Sequence, residues 1–204
     1  MLYFIVTTSL PENSQTSRKI QYINGIKKLR KQIKKLNIKN YKIIIVENNG
    51  NSDTFLNKFG CLNYYTNNNF LNTQNKGVKE LKDILDCITH FEIKDTDFIV
   101  KMTGRYVLND DSEFMNVIKD TSCDCVIKYG SYSNPFDCFS CNDCITGLIG
   151  MRCKYVKKIE FPIGVDCVEW NWAKATKLID DKKIHMVDKL GISICPGCDT
   201  YFDV

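Results

Sequence analysis

Apolar residues fall into short runs, separated by longer stretches where they recur every three or four positions. Tyr3 to Val6 form the first run and lead into Thr7-Thr8-Ser9, which predicts a strand over 3–8. After a polar loop holding Pro11, Ile20, Ile23, Ile26, Leu29, Ile33 and Leu36 recur at helical spacing and predict a helix over 17–36. The β-branched run from Tyr41 to Val46 predicts a strand buried on both faces, ending in the turn formers Glu47-Asn48-Asn49-Gly50. A short helix near 52–58 and a short strand at 61–66 come next. Val78, Leu81, Leu85 and Ile88 share one face of a helix expected over 74–88, and Phe98 to Met102 form the next strand. The second half predicts a strand at 124–129, helices over 145–157 and 166–179, and a strand at 184–187.

Strands alternating with helices imply an α/β fold with a mostly parallel sheet and right-handed crossovers. No repeat, low-complexity linker or break in composition divides the chain, so residues 1–204 read as a single domain. The apolar runs are too short to span a bilayer, and no membrane span is expected. The opening residues lack a basic segment before the apolar one and read as a strand rather than a signal peptide.

Charge changes this picture little. The formal net charge is +4, and of 28 basic residues only Arg18, Arg30, Arg105 and Arg152 are arginine. Abundant Lys, Asn and Ile reflect A/T-rich codons. The Lys27–Lys35 cluster lies on the polar face of an amphipathic helix, and no interleaved aromatics support stacking on bases, so no nucleic-acid partner is expected. Eleven cysteines, an odd number, point to free thiols in a reducing, cytoplasmic compartment. Cys138, Cys141, Cys144, Cys195 and Cys198 have zinc-like spacing without a nearby His. They leave open a structural zinc site, or a redox pair at Cys195 and Cys198.

In an open parallel sheet, ligands bind beyond the carboxyl ends of the strands. That rule selects Thr7, Thr8 and Ser9, then Glu47, Asn48 and Asn49, then Thr103, Gly104, Arg105 and Tyr106. Hydroxyls, a carboxylate and an Arg suit a nucleotide: the carboxylate for base or ribose donors, the guanidinium for phosphate oxygens. Glycine-rich dinucleotide and Walker fingerprints are absent. Asn75-Lys76-Gly77 opens a helix, where a Lys adds to the dipole and free N–H groups in favouring an anion.

Four blocks resemble GT-A-fold glycosyltransferases. They are Ile5-Val6-Thr7-Thr8-Ser9, Ile45-Val46-Glu47-Asn48-Asn49-Gly50, Asn75-Lys76-Gly77-Val78-Lys79-Glu80 and Lys101-Met102-Thr103-Gly104-Arg105-Tyr106. Thr146 to Arg152 and Val187 to Ile192 add two more. The blocks are most similar to the small nucleotide-sugar-dependent domains of large DNA viruses, including chlorella-virus domains that build capsid glycans. The resemblance implies a GT-A three-layer sandwich, a UDP- or GDP-sugar donor, a glycan acceptor, and action in host cytoplasm during infection. Carried over, it sets Thr7, Thr8 and Glu47 against base and ribose, Asn75 and Lys76 near the nucleotide, and Thr103 to Arg105 near the diphosphate.

Members of that family often hold Mn2+ on an Asp-x-Asp at the end of the fourth strand, aided by a late His or Asp. Here Asp95-Thr96-Asp97 precedes the strand. Either the register differs and Asp95 or Asp97 reaches a Mn2+ or Mg2+ ion, or Lys101 and Arg105 supply the positive charge. His185 and Asp188 are further metal or phosphate candidates, or else a surface pair. Glu169 and Asp166 are the candidate bases for an acceptor hydroxyl. At the helix start Asp166 would also serve simply as a cap and dipole partner. Asp143 and Thr146 are candidates to touch the donor sugar, and Trp170 or Trp172 an acceptor. The reading is a glycosyltransferase moving a hexose or deoxyhexose from a nucleotide sugar. The alternatives are a sugar-phosphate nucleotidyltransferase and a non-enzymatic zinc-stabilised binding module.

Overall fold

The computed structural model describes residues 1–11, 16–50, 52–119, 122–132, 141–194 and 202–204. Strand β1 (Leu2–Thr8) is buried along its whole length and leads to helix α1 (Thr16–Lys35). Then follow β2 (Tyr41–Glu47), a 3-10 turn at Phe55–Phe59, β3 (Leu62–Tyr65), α2 (Lys76–His90) and β4 (Phe98–Thr103). The second half contains β5 (Val107–Leu108), α3 (Glu113–Ile118), β6 (Cys125–Ile127), β7 (Leu148–Arg152), α4 (Cys153–Val156), α5 (Val168–Thr176), β8 (Ile184–Met186), β9 (Ile192–Ile194) and β10 (Phe202–Asp203).

The central sheet has seven strands in the order β3-β2-β1-β4-β7-β6-β8. Only β7 opposes its neighbours, β4 and β6; the other pairings are parallel. The chain steps outward from β1 through β2 to β3, then returns to the other side of β1 with β4. That reversal is a topological switch point, where carboxyl ends diverge and leave a crevice.

Alternation along the strands feeds two cores, one on each sheet face. Phe4, Val6, Val100 and Met102 pack with Ile26, Leu29 and Ile33 of α1. Tyr3, Ile5, Ile44, Val46 and Ile99 pack with Leu81, Ile84 and Ile88 of α2 and Trp172 and Ala173 of α5. Each such fully buried side chain contributes about 1.5–3 kcal/mol. The fold is therefore the three-layer α/β sandwich expected. A second sheet, β10-β9-β5, extends the α1 side.

Two glycines fix the approach of α1. A Cβ on Gly25 would lie 2.2 Å from the Gly104 carbonyl oxygen and 2.6 Å from that of Tyr106, so only glycine lets the helix press on the turn after β4. A Cβ on Gly104 would lie 3.0 Å from the Thr7 carbonyl oxygen of β1, to which the Gly104 N–H donates at 2.9 Å.

One expectation fails. Residues 145–157 do not form one helix; they form β7 and the single turn α4. Ile145, Leu148 and Ile149 mimic helical spacing, but Leu148 enters one core and Ile149 and Met151 the other, as a strand buried on both faces requires. Gly150 admits the Phe98 ring, whose Cε1 a Cβ would approach to 2.6 Å. Helix α5 is shorter than the predicted 166–179, and β5, α3, β9 and β10 were not anticipated.

Candidate active site

The crevice at the switch point is a cleft of about 870 Å³, within the range of small-molecule sites. Its floor is the carboxyl end of β1 and β4, where Thr7 stands opposite Thr103 in register. Thr7, Thr8, Asn48, Asn75, Lys76, Lys101, Thr103, Arg105, Asp166 and Glu169 all line it. Glu47 does not. It is 1 % exposed and sits behind the wall, accepting from the Thr8 hydroxyl (2.7 Å), the Leu10 N–H (2.9 Å) and the Asn49 side-chain amide (2.7 Å). Its carboxylate latches the ends of β1 and β2 together rather than facing a base or ribose.

Lys101 is the centre of the floor. Phe98, Val100 and Met102 point into the α1 core and Ile99 into the α2 core, so Lys101 falls on the α2 side. It is 1 % exposed, and its ammonium meets Glu80 Oε1 at 3.0 Å, Thr103 Oγ1 at 3.0 Å and the Thr146 carbonyl at 2.6 Å. Three donors thus find three acceptors. Glu80 Oε1 also accepts from the Thr7 hydroxyl at 2.6 Å. On the other side the Thr146 hydroxyl donates to Glu169 Oε1 at 3.1 Å, so a continuous polar chain crosses the cleft from α2 to α5.

Further cationic groups line the cleft. Arg18 from α1 and Arg105 after β4 lie close enough to the Tyr22 phenol to favour its anion, although burial dominates and its pKa is raised. The Tyr22 hydroxyl accepts from the Ser9 N–H at 2.9 Å and so pins the loop leaving β1. Lys76 lines the cleft from the start of α2. The helix end is less open than expected, because Asn75 Oδ1 accepts from the N–H groups of Gly77 and Val78. The Asn75 amide donates to the Asp166 carbonyl at 2.9 Å, joining α2 to the segment before α5. Asp166 is not in the helix it was expected to cap: the cap position is Cys167, and Asp166 is an exposed rim residue.

Arg18, Glu80, Asp83 and Tyr132 are among the lining residues that had no predicted role. Asp83 is a carboxylate only 1 % exposed, and burial pushes its pKa up to about 6. The sequence signal was there: Lys76, Glu80 and Asp83 recur at helical spacing as a polar stripe beside Leu81 and Ile84. Tyr132 hydrogen-bonds Thr146, and burial raises its pKa well above the usual phenol value.

Other candidates lie elsewhere. Asp97 binds the Met1 nitrogen at 2.7 Å and Asp95 binds Lys157 at 2.6 Å, both at the amino end of β4, so neither reaches the crevice. His185 is exposed on the edge strand β8, and Asp188 is exposed after it; neither lines the cleft. Asp143 hydrogen-bonds Trp170 outside the cleft, while Trp172 is core. Cys87, Cys125, Cys144 and Cys153 are buried, with thiol pKa values raised by burial. Cys138, Cys195 and Cys198 of the zinc reading lie outside the described residues.

No protein-family model matches the chain, and no curated protein matches its sequence. Solved structures do match its fold. A nucleoside-diphosphate-sugar pyrophosphorylase from Vibrio cholerae is 12% identical, covers 96% of this chain and 95% of its own, and gives a TM-score of 0.53. The mannosyltransferase PcManGT from Pyrobaculum calidifontis, solved with GDP-Man and Mn2+, is 10% identical over 92% of this chain and 56% of its own, with a TM-score of 0.51. A glycosyltransferase involved in glycosylating the major capsid of PBCV-1 is 11% identical over 92% of this chain and 81% of its own. Its TM-score of 0.49 is too low to argue a viral relationship. At such identities the likeness shows the fold alone, which is GT-A-like, the nucleotide-diphospho-sugar transferase architecture.

A divalent metal needs several converging oxygen or nitrogen ligands. Among the described residues no three His, Cys, Asp or Glu side chains converge. Thr103, Gly104 and Arg105 occupy the carboxyl end of β4, where Glu80 is paired with the Lys101 ammonium. The described donor set does not fit Mn2+ or Mg2+.

Proposed function

We propose that the protein is a glycosyltransferase that moves a hexose or deoxyhexose from a nucleotide sugar to a glycan acceptor, with UDP-sugars the first donors to try. One observation carries the reading: the cleft at the switch point is lined by the cationic side chains of Arg18, Lys76 and Arg105 and by a carboxylate, Glu169. Arg18, Arg105 and Lys76 suit a diphosphate, with the Arg fork matching its oxygens. Glu169 accepts one hydrogen bond from Thr146 on Oε1, which leaves Oε2 to take a proton from an acceptor hydroxyl. The acceptor oxygen then bonds to the anomeric carbon as the bond to the nucleoside diphosphate breaks. The leaving diphosphate stays paired with the cations. Asp166 on the rim orients the acceptor. The viral, host-cytoplasmic setting belongs to the same reading and rests on the sequence blocks.

A sugar-phosphate nucleotidyltransferase is the second reading, favoured by the near-complete mutual coverage with the Vibrio pyrophosphorylase. Against it, Leu10-Pro11-Glu12-Asn13 after β1 is not a glycine-rich loop. Melting curves with UDP- and GDP-sugars, with and without Mn2+, test both readings. A ligand at a hundred times its Kd adds about 2.7 kcal/mol. A shift lost in Arg105→Ala supports the diphosphate position, and one unaffected by chelator supports metal independence. Pyrophosphate added with the sugar nucleotide should release no nucleoside triphosphate; if it does, the second reading wins. No shift with any nucleotide would sink both.

A further inference from the structure

We propose that the acceptor carries an apolar chain and that Ile163 and Val165, on a turn at the mouth of the cleft, receive it. The inference rests on the transferase reading of the same cleft and deepens it by naming the acceptor class, a glycoside with an alkyl or lipid aglycone.

Among the described residues the three most exposed large apolar side chains are Val165 at 97 %, Ile163 at 82 % and Phe70 at 71 %. Single exposed apolar residues are ordinary, but these three belong to the two segments that border one cleft. Gly164 to Glu169 line it from one segment, and Asn69 and Thr73 to Gly77 from the other. The Asn75 amide joins the two, donating to the Gly164 carbonyl at 3.3 Å and the Asp166 carbonyl at 2.9 Å. Within the turn Gly164 supplies a φ of 60°, and the Asp166 N–H donates to the Ile163 carbonyl at 3.1 Å. Buried Pro162 and Val168 anchor its ends. A turn held this rigidly leaves Ile163 and Val165 in water, where they add nothing to folding.

The apolar surface is continuous with the cleft, because Val165 lines it and Ile163 stands two residues earlier on the same turn. Its occupant is therefore part of a molecule already in the cleft. Four peptide steps separate Val165 from Glu169, which keeps their Cα atoms within about 14 Å. An apolar group on the turn thus lies close to the hydroxyl that Glu169 would deprotonate. Sugar hydroxyls gain nothing from two aliphatic side chains, whereas an alkyl chain laid on them leaves water. A bilayer is the poorer occupant: Asp166, which closes the turn, exposes a carboxylate that would oppose a negatively charged lipid surface.

The experiment titrates the intact protein, with UDP and GDP present, against methyl, butyl and octyl glycosides of glucose, galactose and mannose below their micelle concentrations. Each buried methylene contributes about fourfold in affinity, so for at least one sugar the octyl glycoside should bind roughly thirtyfold or more tighter than the methyl one. Ile163→Ser combined with Val165→Ser should cut that ratio to below about fivefold. The free double variant should melt with the wild type, since neither side chain is buried. If it does not fold, the isosteric Val165→Thr takes its place. Met186→Ser, which removes an exposed apolar residue on β8, should leave the ratio unchanged. A ratio near one for every sugar, a ratio that survives in the folded variant, or an equal loss in Met186→Ser overturns the proposal. So does flotation of the protein with phosphatidylcholine–phosphatidylglycerol vesicles that the variant abolishes, because the bilayer is then the occupant. Nucleotide shifts without chain-length dependence leave the transferase reading standing. Chain-length dependence without any nucleotide shift removes that reading and the acceptor role together.

Discussion

Replacing Lys101 with Met is a sharp test of the cleft floor, because Met keeps most of the stem and removes only the charge and its three donors. The ammonium is 1 % exposed and Glu80 is 26 % exposed, so the pair is buried on one side and partly hydrated on the other. Loss of the cation leaves the Thr146 carbonyl without its 2.6 Å donor in a residue only 2 % exposed. An unsatisfied buried acceptor costs about 1–3 kcal/mol. Breaking a fully buried ion pair costs about 3–5 kcal/mol, and hydration of Glu80 reduces that. Lys101→Met should therefore lose about 3 kcal/mol, roughly 6–12 °C in Tm for a chain of this size. Glu80→Gln alone should lose only about 1 kcal/mol, since the amide oxygen still accepts from Thr7 and Lys101. The double variant should be about 1–2 kcal/mol more stable than the sum of the singles, because no lone charge remains. Urea unfolding of the four proteins measures the cycle. A Lys101→Met variant within about 0.5 kcal/mol of wild type, or strict additivity, would refute the reasoning.

Gly25→Ala would stabilise an ordinary helix by about 1 kcal/mol, but here the new Cβ meets backbone oxygens of Gly104 and Tyr106. It should instead lower the urea midpoint, by about 2 kcal/mol in stability, and weaken nucleotide binding by displacing the turn that carries Arg105. Asp83 has its folded pKa raised from 3.8 to about 6 by burial, against hydrogen bonds from Thr66, Asn68 and Asn48, with Glu80 adding to the rise. The folded state therefore holds the proton more tightly, so its share of stability is present below pH 4 and lost as pH rises to about 6, an effect of about 3 kcal/mol. Stability curves of wild type and Asp83→Asn should differ in slope across that window; parallel curves would show Asp83 titrating normally. Glu169→Gln should reduce kcat by about 10²–10⁴ while leaving nucleotide affinity unchanged. Thr146→Val should reduce kcat less, through the lost 3.1 Å bond. A Glu169→Gln enzyme with full kcat would move the base elsewhere.

What the sequence revealed follows one rule. Parallel strands buried on both faces read as continuous β-branched runs, so β1, β2 and β4 and their polar ends were legible, and with them Thr7, Thr8, Asn48, Thr103 and Arg105 of the cleft wall. What it hid depended on partners far away in the chain. Glu47 looks like a ligand contact because it ends a strand, yet beside the local Asn49 its donors include Thr8 and Leu10, brought in only when β1 pairs with β2. The slot between β4 and β6 demands a strand, and nothing local in residues 145–157 states that demand; a helical spacing of apolar residues satisfies both cores when extended. The orientation of Lys101 needed the face alternation of β4, which the flanking core residues could have supplied. Asp83 was hidden for a different reason. Its donors come from three separate positions, Asn48, Thr66 and Asn68, each unremarkable alone. Desolvating that carboxylate is unfavourable and its three bonds only partly offset the loss, as its raised pKa records. A helix packed solely for stability gains nothing from an aspartate there, because an apolar residue of similar size avoids the desolvation altogether. A buried carboxylate that opposes stability and lines a cleft is therefore better explained by what the cleft binds than by what the fold needs.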